Sequence, residues 1–122
     1  MKIGHGTLQE LADRLLKRMR RGECRMVRHA VASDLRGFHT DPSKCHENVD
    51  RWCRENPSDK PVRGWLVTGG FVFDRHSVID RGPAGLLDIT PLPDRTYSDF
   101  LIHDGSQEEF NTLPNQIVAV SV

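Results

Sequence analysis

Residues 41–53 read Asp-Pro-Ser-Lys-Cys-His-Glu-Asn-Val-Asp-Arg-Trp-Cys, and this stretch predicts the helix around which the fold is built. Its apolar side chains recur at the spacing of one helix face: Cys45, Val49, Trp52 and Cys53. The pattern predicts a helix from about Ser43 to Asn56, so Cys45 lies in the first turn. The unpaired N–H groups and the positive dipole end of a first turn favour a thiolate over a thiol.

Two strand-like segments follow this helix, and each carries a side chain of chemical interest. His76 lies at the edge of an apolar segment, and Asp88 lies between Leu87 and Ile89. A carboxylate among apolar side chains is costly to bury unless it meets a partner. The turn-forming residues 81–85 would make the two segments neighbours in a hairpin. We therefore expect His76 and Asp88 to lie side by side.

Cys45, His76 and Asp88 together supply the groups that nucleophilic catalysis by cysteine needs. These are a thiolate, an imidazole that shares its proton and a group that orients the imidazole. A cysteine at a helix start, followed by His and Asp on successive strands, resembles the chain order of papain-like cysteine hydrolases. That group often places a polar oxyanion donor several residues before the cysteine, which here implies His39 together with the Cys45 backbone N–H. Asn48, one turn after Cys45, is a second polar candidate, either beside the oxyanion or in a supporting role.

Three segments also resemble the protein N-terminal glutamine amidohydrolases. Residues 45–49, Cys-His-Glu-Asn-Val, are similar to that family's cysteine motif, where a Cys is followed by Glu-Asn-Val. Residues 73–79, Phe-Asp-Arg-His-Ser-Val-Ile, are similar to its Asp-Tyr-His-Val segment. Residues 87–93, Leu-Asp-Ile-Thr-Pro-Leu-Pro, are similar to its Asp-Leu-Asp-Thr segment and the Leu-Pro element that follows. The resemblance implies a papain-like core and a Cys-His-Asp triad. The triad roles fall on the following residues: Cys45, His76 and Asp88.

The rest of the pattern places helices before strands. Residues 7–10, Thr-Leu-Gln-Glu, form a capping box and open a helix whose basic last turn, residues 17–21, is typical of a solvated helix end. Strands are predicted at these residues: 62–68, 71–73, 76–79, 86–90 and 116–122. This order favours an α+β fold, here a papain-like core with N-terminal helices packed on an antiparallel β-sheet. At 122 residues, the chain is expected to be a single papain-like domain over residues 1–122.

Composition narrows the classes of partner. Lys+Arg and Asp+Glu are both 17, so no net charge attracts nucleic acid or an acidic membrane. The odd number of cysteines, three, argues against a secreted disulfide framework and favours a reducing compartment. We find no apolar signal segment after Met1 and no stretch of transmembrane length. A cytoplasmic protein is therefore expected, with secretion by a route without a cleaved signal left open.

These features predict a cysteine-dependent hydrolase of amide bonds that works through a thioester and needs no cofactor. The expected partner is a protein or peptide substrate with a carboxamide. Deamidation of glutamine is the favoured reaction, and peptide or isopeptide cleavage comes next. Acyl transfer to an amine uses the same intermediate. The oligomeric state is not indicated by the sequence.

Other interpretations stay open. The chain could be a non-catalytic binding module or effector on a papain-like shell, using the basic helix end or a loop from Tyr97 to His103. It could also hold a structural zinc ion through four nearby donors. These donors are His39, Cys45, His46 and Cys53, and their spacing matches no standard zinc motif. Cys45 alone could equally be an inert core thiol, because free cysteine is among the most buried residue types.

Overall fold

The computed structural model describes residues 2–3, 6–69, 71–90 and 96–119 of the chain. Two predicted segments run beyond these residues. The Leu-Pro element at residues 91–93 and the end of the last predicted strand at residues 120–122 lie outside the described residues. Within the described ranges, no helix has both the length and the apolar character needed to cross a membrane.

Helices and strands are mixed along the chain. The helices are α1 (Leu8–Arg20), α2 (Ala32–Leu35), α3 (Cys45–Glu55) and α4 (Gln107–Thr112). The strands are β1 (Lys2–Ile3), β2 (Gly6–Thr7), β3 (Arg25–His29), β4 (Lys60–Thr68), β5 (Val72–Asp80), β6 (Leu86–Asp88), β7 (Tyr97–Ile102) and β8 (Gln116–Val118). A 3-10 turn at Gly82–Ala84 lies between β5 and β6. The described chain therefore has α+β content.

The chain divides into two compact units. The first unit consists of Met1–Arg25, Arg63–Arg75 and Asp99–Val122, and the second consists of Met26–Val62 and His76–Ser98. Strands β4, β5 and β7 each contribute residues to both units. The expectation of one domain over residues 1–122 stays a prediction.

The first unit is built on the amphipathic helix α1. Its core consists of these residues: Leu11, Ala12, Leu15, Leu16, Trp65, Phe73, Leu101, Phe110, Leu113, Ile117 and Ala119. The antiparallel pairs β4–β7 and β5–β8 belong to this unit. Gly64 lies so close to the Leu101 backbone and the Phe100 ring that no Cβ would fit there. Helix α1 is followed by Gly22, whose φ of 77° gives the left-handed conformation that commonly ends a helix.

The second unit packs α3 against a small mixed sheet. Strand β6 pairs in parallel with β3 and antiparallel with β5. The core consists of Val49, Trp52, Ile79, Leu87 and Ile89, with Ala30, Leu35, Phe38 and Cys53 partly buried around it. The predicted apolar face of α3 is therefore the face that packs, and the helix bounds differ from the predicted ones by one or two residues.

Several features of the strands differ from the sequence-based expectation. Strands β1 and β2 were not expected, and the segments expected at 71–73 and 76–79 form the single strand β5. The pairing of the strands and the segment after Tyr97 also differ. The pair β3–β6 is parallel, whereas an antiparallel sheet was expected. Parallel neighbours need a long connection, and here α2, α3, β4 and β5 lie between them in the chain. The segment from Tyr97 to His103 was expected as a loop, but it forms β7 up to Ile102. Its burial alternates from exposed Tyr97 to buried Ser98, and the polar character of the buried residue hid the strand pattern.

Candidate active site

Cys45 is the first residue of α3, in the second unit. Its side chain is half-buried, and the thiol is free. The N–H groups of a first helical turn have no partner within the helix and carry the positive end of the dipole. Cys45 therefore lies at a helix N-terminus, as predicted.

Strands β5 and β6 bring His76 and Asp88 together. The pairing of Ile79 with Leu87, continued by one residue, puts Val78 opposite Asp88. This makes His76 a diagonal neighbour of Asp88 on one face of the sheet. The His76 Nε2–H donates to Asp88 Oδ2 over 2.7 Å, and the Asp88 side chain is 0% exposed.

The Cys45 thiol hydrogen-bonds to His76 and also to His46. Because Nε2 of His76 is engaged by Asp88, Nδ1 is the ring nitrogen left for the sulfur. Burial alone would raise the pKa of Cys45, but the hydrogen bonds and charges of the two imidazoles outweigh it and lower the pKa to about 6. Burial would lower the pKa of His76, but Asp88 and then Cys45 raise that pKa to about 10. Both shifts favour the thiolate–imidazolium form of the pair.

Asp88 is held by more than His76. Its Oδ1 accepts the backbone N–H of Thr90 over 2.9 Å. The Nδ1 of buried His29 lies 3.5 Å from the same Oδ2 that His76 contacts. The other ring nitrogen of His29 lies 2.7 Å from Ser98 Oγ. The carboxylate thus lies between two imidazoles, and it accepts hydrogen bonds from His76 and from the Thr90 backbone.

Asn48 does not provide an oxyanion donor, which corrects one part of its predicted role. Its side-chain NH2 donates to the Asp41 carbonyl over 2.9 Å and to Thr90 Oγ1 over 3.0 Å. Its Oδ1 accepts the Asp41 N–H over 3.1 Å. Both amide hydrogens are therefore used, and the side chain is buried. Asn48 instead joins the loop before α3 to Thr90, which in turn holds Asp88.

His39 is not part of the buried site, which corrects its predicted role as an oxyanion donor. Its side chain is 83% exposed, and its Nε2 lies 3.6 Å from Asp41 Oδ1. The Arg51 guanidinium donates to the His39 carbonyl, which holds this part of the loop against the outer face of α3. A side chain this exposed is surrounded mainly by solvent, whereas an oxyanion donor has to be shielded beside the sulfur.

His46 is a site residue that the sequence suggested only as a metal donor. Its Nδ1 lies 2.5 Å from Ser77 Oγ, and its ring also hydrogen-bonds Cys45. Cys45 and His46 are the first two residues of α3. The available signal was a histidine beside a cysteine in the same first turn. Contacts of His29 and Ser98 had no such signal, because they depend on which strands pair.

The described residues give the zinc alternative no support. They contain no group of three or more His, Cys, Asp or Glu side chains arranged to hold a metal ion. Among the four suggested donors, His39 is exposed, and Cys53 packs at the edge of the apolar core. Cys45 and His46 are hydrogen-bonded to each other.

Comparison with known proteins identifies no relative: no family model matches the sequence, and no curated protein or solved structure matches the chain significantly. The papain-like core and the likeness to glutamine amidohydrolases therefore stay predictions. What the residues around Cys45 can do chemically has to be argued from their geometry.

Proposed function

We propose that the protein is a cysteine-dependent hydrolase of amide bonds. Cys45 is the nucleophile, His76 transfers the proton, and Asp88 orients the imidazole. One observation carries the proposal. The thiol at the start of α3 contacts His76, and His76 donates to a carboxylate that has no exposed surface. A buried carboxylate beside an imidazole that contacts a thiol is costly to assemble, and acyl transfer is the chemistry that uses all three groups.

The first half of the reaction forms a thioester. The Cys45 sulfur attacks the carbonyl carbon of the amide, and the carbonyl π electrons move onto oxygen. The resulting oxyanion lies near the first turn of α3, where the backbone N–H of Cys45 is a hydrogen-bond donor. When the intermediate collapses, the carbon–nitrogen bond breaks and the nitrogen takes a proton from His76. Ammonia or an amine leaves, and His76 becomes neutral.

The second half of the reaction releases the acid. Neutral His76 accepts a proton from water as the water oxygen attacks the thioester carbon. The second tetrahedral intermediate collapses, and the carbon–sulfur bond breaks. Cys45 leaves as a thiolate beside the imidazolium, so the starting state is restored. Asp88 stays ionised throughout and keeps the ring of His76 in one orientation.

The substrate class belongs to the same proposal. Protein or peptide carboxamides are the proposed substrates, with glutamine deamidation ahead of peptide or isopeptide cleavage. This order rests on the three segments that resemble N-terminal glutamine amidohydrolases, and the papain-like core rests on the same resemblance. The Cys-His-Asp geometry supports amide hydrolysis in general and does not rank these substrates.

The test is an assay of amide hydrolysis on a set of peptides that carry glutamine at the N-terminus or internally. The reaction is run in heavy-oxygen water, with ammonia release and mass spectrometry as readouts. Wild type is expected to release ammonia and add one heavy oxygen, and Cys45→Ala to do neither. Cys53→Ala is the matched control, because it removes a half-buried thiol from the same helix. Equal activity in Cys45→Ala, or none in wild type, would contradict the proposal.

A further inference from the structure

His46 lies against the reacting sulfur but has no role in the reaction described so far. It directly follows Cys45 in α3, and like His76 it lowers the pKa of the Cys45 thiol through a side-chain hydrogen bond. An imidazole next to a thiolate stabilises the negative charge as a hydrogen-bond donor, and more so when partly shielded from water. The role of His46 is therefore distinct from the roles of Cys45, His76 and Asp88.

Ser77 holds the His46 ring from the other side. Its Oγ lies 2.5 Å from His46 Nδ1, and the Ser77 residue is fully buried. Ser77 directly follows His76 in β5. Both imidazoles are therefore connected to β5. One is the side chain of His76, and the other, that of His46, contacts the next residue, Ser77. A ring that is held in this way loses little freedom when it donates to the sulfur.

We propose that His46 is a second catalytic residue of the site. It donates an N–H hydrogen bond to the Cys45 sulfur and shares with His76 the stabilisation of the attacking thiolate. This inference rests on the proposed hydrolase function. His76 must turn its proton toward the leaving nitrogen during the reaction, whereas His46, anchored by Ser77, keeps a donor at the sulfur.

His46 can also donate the oxyanion hydrogen bond that His39 and Asn48 do not provide. The His39 side chain is exposed, and both amide hydrogens of Asn48 are used. Once the sulfur is bonded to the acyl carbon and no longer negative, the His46 N–H lies beside the carbon that carries the oxyanion. A donor placed there acts on the charge that develops in the transition state.

The experiment measures the rate of Cys45 alkylation by iodoacetamide against pH, read at Cys45 by mass spectrometry. His46→Gln is expected to raise the midpoint of the profile by about one pH unit, because one charge-assisted hydrogen bond is lost. Alkylation at about pH 6 should then be about fivefold slower than in wild type. The matched control is His39→Gln, which removes an exposed imidazole from the preceding loop and should leave the profile unchanged.

Ser77→Ala is the second variant and keeps the inference testable if His46→Gln fails to fold, which circular dichroism would show. It should move the midpoint in the same direction by a smaller amount. A His46→Gln profile that coincides with that of wild type, while His76→Ala shifts, overturns the role of His46 and leaves the hydrolase proposal standing. An unshifted Ser77→Ala profile would likewise overturn the anchoring role of Ser77.

The hydrolase proposal can also fail by itself. If His46→Gln shifts the profile but wild type hydrolyses no peptide amide, the contact of His46 with the thiolate stands and the assigned reaction does not. The alkylation profile needs no substrate, so the two failures are distinguishable.

Discussion

Each of the two units contains a buried histidine that faces a carboxylate, and the two pairs behave in opposite ways. In the second unit, Asp88 and Cys45 raise the pKa of His76 to about 10 against the effect of burial. In the first unit, His103 Nε2 lies 3.0 Å from Glu109 Oε1, yet burial keeps the pKa of His103 below its ordinary value. A histidine–carboxylate pair therefore does not by itself make a proton-transfer site.

The groups around the two rings explain the difference. His103 packs against the rings of Trp65 and Phe110, and the Arg14 charge opposes the effect of Glu109. These surroundings favour the neutral imidazole of His103. His103 therefore serves to pack the first unit. His76 has a second partner that can become negative, the Cys45 thiol. The third group, the Cys45 thiol, distinguishes the candidate site from the His103–Glu109 pair.

Removing the charge of Asp88 is the change with the largest expected effect. In Asp88→Asn, His76 loses the anion that raises its pKa, so proton transfer and the Cys45 thiolate are both weakened. Amide hydrolysis should fall by at least about 10²-fold in a steady-state assay. The matched variant is Glu109→Gln, which takes the carboxylate from His103 and should leave hydrolysis unchanged. Equal losses in the two variants would remove the distinction between the pairs.

The thiolate–imidazolium pair should make stability insensitive to pH over a defined window. The raised pKa of His76 contributes stability that is present below 6.5 and lost as pH rises toward 10. The lowered pKa of Cys45 contributes stability that is present above 9.0 and lost as pH falls toward 6. Between about pH 6.5 and 9 the two dependences cancel, because folded and unfolded states each hold one proton on the pair.

Cys45→Ala should remove that cancellation. Because Asp88 still raises the pKa of His76, the free energy of unfolding should decline from about pH 6.5 upward relative to wild type. Urea unfolding at several pH values measures it, and Cys53→Ala is the control. A constant difference between wild type and Cys45→Ala across the window would show that no proton is shared between the thiol and His76.

The smallest expected effect concerns the first unit. The pKa of His103 is lowered by burial, so its contribution to stability is present above 6.5 and is lost as pH falls below that value. His103→Gln should therefore make the acid side of the stability profile shallower. Urea unfolding between about pH 5 and 7 measures the slope, with His39→Gln as the exposed control. Parallel profiles for His103→Gln and wild type would contradict the assignment.

Helices α1 and α3 and the pairing of His76 with Asp88 could be predicted because their signals are local. The spacing of Val49 and Trp52 predicts the apolar face of α3. The short turn between β5 and β6 makes His76 and Asp88 neighbours. Strand β7 was missed because its buried Ser98 is polar and gives no alternating apolar pattern. The parallel β3–β6 pair was missed because no sequence pattern within a strand indicates which distant strand it pairs with.

The supporting residues could not be assigned because their roles depend on how many hydrogen bonds each side chain already makes. Asn48 is a polar neighbour of Cys45 in sequence, yet three contacts with Asp41 and Thr90 use it completely. The sequence suggested His46 only as a metal donor, yet its side chain lowers the pKa of the neighbouring Cys45 thiol. Residue type and spacing indicate which groups are available, and only the folded chain shows which of them are already engaged.

The contacts that assemble this site join residues far apart along the chain. His29 and Ser98 are 69 positions apart, and Asn48 and Thr90 are 42 positions apart. We expect such contacts to form late in folding, because closing a long loop costs entropy before the contact returns any energy. In an unfolded chain Cys45 lacks its hydrogen bonds with His46 and His76, so we expect its thiol to have an ordinary pKa there. A thiolate at Cys45 near neutral pH is then expected only in the folded molecule.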